Sequence, residues 1–204
     1  MKLYGRYLSP FVRRVGVSLN VLGMPYEHVE VAPFDEWERA QSYNPVVRIP
    51  ALGLDYGEVL IDSSAILDYL DDSAGAGRLI PATGAARRDV MKLTAIGLGA
   101  MEKAVGAVYE GRFHAPEKVE QSWMDRCDNQ AVSALQALDA VAAKAGPDGF
   151  LYGGGMTQAD ITGAVAFAFT ALARPKLGIA GKVPALAALA GRLLETPPFK
   201  ATQP

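Results

Sequence analysis

Three short stretches carry residues whose types and spacing suit the capture of a small anionic ligand. Ser9-Pro10-Phe11 sets a hydroxyl ahead of proline at the first position of a helix, where the missing N–H costs nothing. Asp62-Ser63-Ser64, before the apolar run Ala65-Ile66-Leu67, reads as a second helix start. Between them, Asn44-Pro45-Val46-Val47-Arg48-Ile49-Pro50 reads as a sharp connection into a short strand at 51–54. The first turn of a helix leaves N–H groups unpaired and bears positive partial charge. Two such ends beside a proline turn can therefore present donors to carboxylates and to a thiolate.

The elements that must position these residues alternate strand and helix. Segments 2–7 and 26–31 are rich in Tyr, Val and Leu and suit short strands. Between them Phe11, Val15, Leu19 and Leu22 recur at helical spacing, with Gly23 as the C-cap. A strand–helix–strand unit of this kind implies parallel strands. A short helix is expected over 34–43, a hairpin of 51–54 with 58–61 around Asp55-Tyr56-Gly57, and a closing helix over 63–70. Glycines 75, 77 and 84 with Pro81 then mark a linker. Beyond it only Ala- and Leu-rich helical stretches follow, at 87–113, 116–144, 157–172 and 183–195. The expected fold is a small α/β domain at 1–78, a linker at 79–86 and an all-helical bundle at 87–204.

Half of the 204 residues are apolar and 21% are charged, which suits a folded chain. A net charge of −2 gives no electrostatic footprint for nucleic acid or an anionic membrane, and Arg13-Arg14 and Arg87-Arg88 are dibasic pairs, not patches. The strongly apolar 159–173 stretch is too short to span a bilayer and reads as a core helix. One cysteine, Cys127, leaves no intramolecular disulfide and fits a reducing compartment; with no signal-peptide pattern at the start, the expected location is cytoplasmic. His28 and His114 are the only histidines and lie far apart, so no metal site and no Ser-His-Asp arrangement is expected. Gly153-Gly154-Gly155 lacks the lysine of a phosphate-binding loop.

Taken in order, Tyr7-Leu8-Ser9-Pro10-Phe11-Val12-Arg13-Arg14-Val15, Gly23-Met24-Pro25-Tyr26-Glu27, the 44–50 segment and Asp62-Ser63 resemble the cytosolic glutathione transferases. The likeness is to serine-type bacterial and plant members, tau- and zeta-like. Thr157-Gln158-Ala159-Asp160-Ile161 resembles the family's capping box in its long core helix, so the likeness covers nearly the whole chain. It implies a thioredoxin-like first domain, a helical second domain, a two-fold homodimer and glutathione as co-substrate without a metal.

Residue by residue, Ser9 admits two compatible readings, a helix cap or the hydroxyl that holds glutathione's thiolate; the resemblance implies the second. A free thiol has a pKa near ~8.5. Lowering it two units needs about 2.7 kcal/mol of differential stabilisation, within reach of one charge-assisted hydrogen bond plus a helix end. Asp62 and Ser63 are a plain cap or, by resemblance, the pair that takes the γ-glutamyl ammonium and carboxylate. Pro50 resembles the cis-proline that turns the Ile49 backbone toward the cysteinyl moiety. Arg48 is a solvated surface arginine or a partner of the glycyl carboxylate. By position, Leu8, Phe11, Tyr109, Phe113 and Phe199 are candidates for an apolar site that holds an electrophile. The expected activity is transfer of glutathione's thiolate to a hydrophobic electrophile. Glutathione-dependent isomerisation or dehalogenation, and ligand binding without catalysis, stand as the alternatives.

Overall fold

A computed structural model describes all residues, 1–204, and divides into two compact units: Met1–Ala82 with Glu195–Pro204, and Thr83–Leu194. The first unit holds strands β1 (Lys2–Tyr4), β2 (Glu27–Val29), β3 (Ala51–Gly53) and β4 (Val59–Leu60) in the order β2-β1-β3-β4. β1 and β2 are parallel, as the intervening helix requires, with Leu3 opposite His28. β3 runs antiparallel to both β1 and β4, with Leu52 opposite Leu3 and Leu60. Helices α1 (Pro10–Leu22), the short α2 (Trp37–Gln41) and α3 (Ser63–Ser73) complete the sequence-derived pattern. Val12, Val15 and Leu19 of α1 and Ile66, Leu67 and Leu70 of α3 bury against Leu3 and Leu52 of the sheet. Gly23 ends α1 in the left-handed conformation, its N–H shared between the Asn20 and Leu19 carbonyls.

β1 is shorter than the 2–7 segment because Gly5 leaves the extended region at φ +130. A Cβ on Gly5 would lie 2.6 Å from Val12 Cγ2 and 2.9 Å from Ile49 Cβ. Gly5→Ala therefore combines a disfavoured backbone angle with a clash against the residue before Pro50. The expected loss of stability is ~2–4 kcal/mol, read by urea unfolding.

The C-terminal segment, grouped with the helical part in the sequence reading, packs instead with the first unit. Asn20 Nδ2 donates to the Pro198 carbonyl at 3.1 Å, and Phe199 and Thr202 in and after α9 (Pro197–Lys200) are fully buried. Gly16 of α1 leaves room for this cover: a Cβ there would meet Tyr7 Cε1 at 2.7 Å and Thr202 Cγ2 at 3.1 Å.

The second unit is all helix: α4 (Gly84–Phe113), α5 (Gln121–Ala145), α6 (Gln158–Ala173), the short α7 (Ile179–Lys182) and α8 (Pro184–Leu194). The stretch expected as one helix from 116 is broken: Pro116–Lys118 form a single 3-10 turn, and Glu120 caps α5 by accepting from Ser122 N. Gly97 of α4 lets α6 approach closely, since a Cβ there would sit 3.1 Å from Thr162 Cγ2. Asp128 of α5 takes a bidentate pair from Arg174 at the end of α6, at 2.8 and 2.6 Å. No single helix is long and apolar enough to cross a membrane.

The Thr157–Asp160 capping box forms, and Asp160 does more than cap. Its fully buried carboxylate accepts from Thr157 N and Oγ1, each at 2.8 Å, and from Leu151 N at 2.6 Å. Burial nevertheless pushes this carboxyl up from its ordinary 3.8, outweighing the hydrogen bonds that lower it. The native chain thus holds the proton more tightly than the unfolded one. This group's contribution to stability falls as pH rises from 3.8 through the raised native value. Asp160→Asn should remove that slope. At neutral pH it should cost about 1–3 kcal/mol, because the amide NH2 is set against N–H donors; urea unfolding at acid and neutral pH checks both.

Candidate functional site

The first unit brings the predicted polar residues onto a frame made by the starts of α1 and α3 and the loop into β3. Ser9 is the N-cap of α1 (φ −71, ψ 122), and its Oγ accepts from Val12 N at 3.5 Å. That is long for a hydrogen bond, so the hydroxyl is only weakly committed to capping. The nearest phenol in the chain, Tyr7, points elsewhere: its hydroxyl shares a 2.8 Å hydrogen bond with Tyr26, and its ring stacks on His28 at 4.0 Å. Burial, then the Tyr26 bond, pushes the Tyr7 phenol well above its ordinary value, so it holds its proton. Ser9 is the hydroxyl available at the start of α1.

Asp62 caps α3, its Oδ1 accepting from Ser64 N at 2.8 Å, and is itself exposed. Ser63 is fully buried, and its hydroxyl is already engaged. Arg14, on the α1 turn after Ser9, donates from Nε and Nη2 to Ser63 Oγ at 3.1 and 2.8 Å, and from Nη2 to Ser64 Oγ at 2.9 Å. Arg14 is 1% exposed. It locks the first turns of the two helices together and places a permanent positive charge at the start of α3, adding to the helix-end potential there. In the sequence it stands as half of a dibasic pair with Arg13. The available signal was an arginine inside the apolar run from Val12 to Leu19, where a charge must find buried partners.

Ile49–Pro50 is a cis peptide bond, Pro50 is buried and Arg48 is exposed. The loop before it is held by Asn44, 3% exposed, whose Nδ2 donates to the Arg48 carbonyl at 2.7 Å and whose Oδ1 accepts from Val46 N at 2.9 Å. Val47 sits at φ +54, an outlier for a β-branched residue, with its N–H bonded to the Asn44 carbonyl at 2.8 Å. Such a conformation costs ~1–3 kcal/mol and persists where surrounding bonds impose it. Asn44 supplies three of those bonds, two from its side chain and one from its carbonyl.

Among the apolar candidates, Leu8 is 52% exposed, but Phe11 is buried and Phe199 fully so. Both phenylalanines are part of the interior rather than an open apolar surface, because an aromatic beside a packed helix takes the nearest dry face. In the second unit Tyr109 and Phe113 are exposed at the end of α4, their rings edge to face at 5.3 Å, with Arg112 over Phe113. Cys127 is a buried free thiol beside Ala107 and Met124. His28 Nε2 is bonded to the Gly5 carbonyl, and His114 pairs with Glu110.

Known proteins resemble this chain in sequence and fold. Residues 3–78 match the family model for the glutathione S-transferase N-terminal domain. A maleylpyruvate isomerase from Ralstonia is 31% identical over 155 residues, covering 72% of each chain. A maleylacetoacetate isomerase from Pseudomonas aeruginosa is 32% identical over 147 residues, 68% of this chain and 69% of that one. The crystal structure of a glutathione transferase family member from Pseudomonas fluorescens Pf-5 with bound glutathione superposes with a TM-score of 0.87 at 32% identity, over 100% of this chain and 98% of the other. The chain belongs to the cytosolic glutathione transferase family, with its thioredoxin-like first part and helical second part.

Proposed function

We propose that this protein binds glutathione in its first unit, holds the thiol ionised beside Ser9 and directs the thiolate at a hydrophobic electrophile. The observation that carries this reading is the pairing of two helix starts through Arg14, with a weakly used serine hydroxyl at one start and Asp62 at the other. The γ-glutamyl carboxylate would meet the α3 N-terminus and the Arg14 charge beneath it, and Asp62 would take the ammonium. Because the Ser63 hydroxyl already serves Arg14, the backbone N–H groups of α3 are assigned the larger share of the carboxylate. Ile49 would offer its backbone to the cysteinyl moiety and Arg48 would meet the glycyl carboxylate as a screened surface charge. In the first unit, exposed Leu8 is assigned to the electrophile. The same reading sets the protein in the cytoplasm, where glutathione is kept reduced.

It also makes the protein a homodimer. Gly97, Ala100 and Ala104 are buried within the helical unit, whereas Met91, Ala95 and Gly99 lie on an α4 face with open space at Gly99. That face is assigned to a second copy of the chain.

A second reading is glutathione-dependent isomerisation, favoured by the two relatives named as isomerases at 31% and 32% identity. There the thiolate adds to a carbon–carbon double bond, the bond rotates, and expulsion of the sulfur restores both the alkene and free glutathione. Glutathione accounting separates the two. Conjugation consumes one glutathione per product formed, and isomerisation turns over with the glutathione concentration unchanged. Turnover of neither an electrophile panel nor a cis-alkene panel, with glutathione bound, would support a binding role instead.

A further inference from the structure

Arg13 has a surrounding quite unlike that of its neighbour Arg14. It is 7% exposed, yet its Nε is buried without a hydrogen-bond partner, and no carboxylate pairs with it. Burial alone pushes its guanidinium down from the ordinary value, with no opposing charge to raise it. Arginine keeps its proton under these conditions, so the site holds a permanent, uncompensated charge. Buried charges are ordinarily paired, and one left alone lowers stability.

Its place on α1 suggests what it is kept for. Arg13 follows Ser9 by one helical turn, and its N–H donates to the Ser9 carbonyl at 2.9 Å. Residues four apart share a helix face, and side chains lean toward the N-terminus, which directs Arg13 to the Ser9 end. Farther along the same face, Gly16 and Asn20 lie under the C-terminal segment. The charged groups on the elements packed against α1 are used elsewhere or stand apart from Arg13. Lys2 of β1 pairs with Glu27, and Lys200 of the C-terminal segment with Glu195. On α3, Asp62 caps the helix and Asp71 accepts from Gly77, Leu79 and Ile80. Arg14 is turned to Ser63 and Ser64.

We propose that Arg13 is a thiolate-stabilising residue: a largely buried positive charge without an ion pair, one turn from Ser9, that favours the ionised form of the bound thiol. This rests on the glutathione reading above. A positive charge within ~4–6 Å lowers the pKa of an acid by 1–3 units, and Arg13, acting from one turn away, is assigned about one unit, the low end of that range.

The test uses Arg13→Met and Arg13→Lys with glutathione and a neutral aryl halide, chlorodinitrobenzene. It reads the pH profile of kcat/KM, the glutathione Kd and the thermal midpoint. Arg13→Met should move the acid limb of the profile up by about one unit, a roughly tenfold loss below it that disappears at high pH. The glutathione Kd should stay near that of the wild type. The thermal midpoint should rise, because an uncompensated buried charge has been replaced by an apolar chain of similar length. Arg13→Lys, which keeps a charge, should restore most of the profile. An unshifted profile in Arg13→Met overturns the proposal, as does an even loss at all pH values or a fall in thermal midpoint with the profile unchanged. Wild-type protein that binds no glutathione sinks the underlying reading before any variant is made, and this one with it.

Discussion

Replacing Ser9 with alanine is expected to raise the pKa of bound glutathione's thiol by about one to two units. The rate of conjugation at neutral pH should fall roughly three- to twenty-five-fold, since a thiol starting about two units below the free value is mostly ionised at pH 7 before the change. The sign follows from the fraction ionised: a higher thiol pKa leaves less thiolate at fixed pH, and the loss closes once pH exceeds the new value. The effect on stability should be small. A cap replaced by alanine typically costs ~1 kcal/mol, and here the capping bond is a long 3.5 Å, so the cost should lie at or below that figure. A pH–rate profile and a thermal melt on the same variant separate these outcomes. A variant with the wild-type profile would remove Ser9 from the chemistry and leave it a cap.

Arg14→Met should behave oppositely to Arg13→Met, although the two arginines are adjacent. It removes the three hydrogen bonds to Ser63 and Ser64, leaves the buried Ser63 hydroxyl with a 3.4 Å contact to Asp62, and unties α1 from α3. A loss of ~2–4 kcal/mol is expected in urea unfolding, the cost of stripping a charged donor from buried acceptors. Glutathione affinity should fall by at least tenfold, because the charge beneath the α3 N-terminus goes with it, and the thiol pKa should move little in whatever complex remains. A variant with wild-type stability and affinity would show that the arginine clamp neither holds the two helix starts together nor supports anion binding.

How much of this was legible in the sequence depends on the kind of interaction. The parallel pairing of β1 and β2 followed from the apolar spacing of Phe11, Val15 and Leu19 between two β-rich runs, because a connecting helix leaves few other topologies. The caps at Ser9, Asp62 and Thr157 were readable because they depend on residues a few positions apart. Long-range partners were not. Periodicity marks a face as buried without saying against what, so the cover over Gly16 and Asn20 by the C-terminal segment, and the burial of Phe199 within it, escaped notice. Arg14 and Arg13 look equivalent in the sequence and differ by about 100° around the helix, enough to give one a pair of serines and the other no partner. The bracing of the loop by Asn44 was hidden for a related reason: an Asn before Pro reads as a turn former, and its side-chain bond to the Arg48 carbonyl appears only once the loop has closed.

The central claim, that glutathione is bound here with its thiol ionised, is tested most directly by titrating the wild-type complex. The thiolate's ultraviolet absorbance would be followed against pH with glutathione saturating and with free glutathione as the reference. The combined action of the Ser9 hydroxyl and the α1 N-terminus predicts a midpoint about two units below that of the free thiol, and thus mostly thiolate at neutral pH. A bound thiol that titrates at the free value, or protein that fails to bind glutathione, would contradict the account.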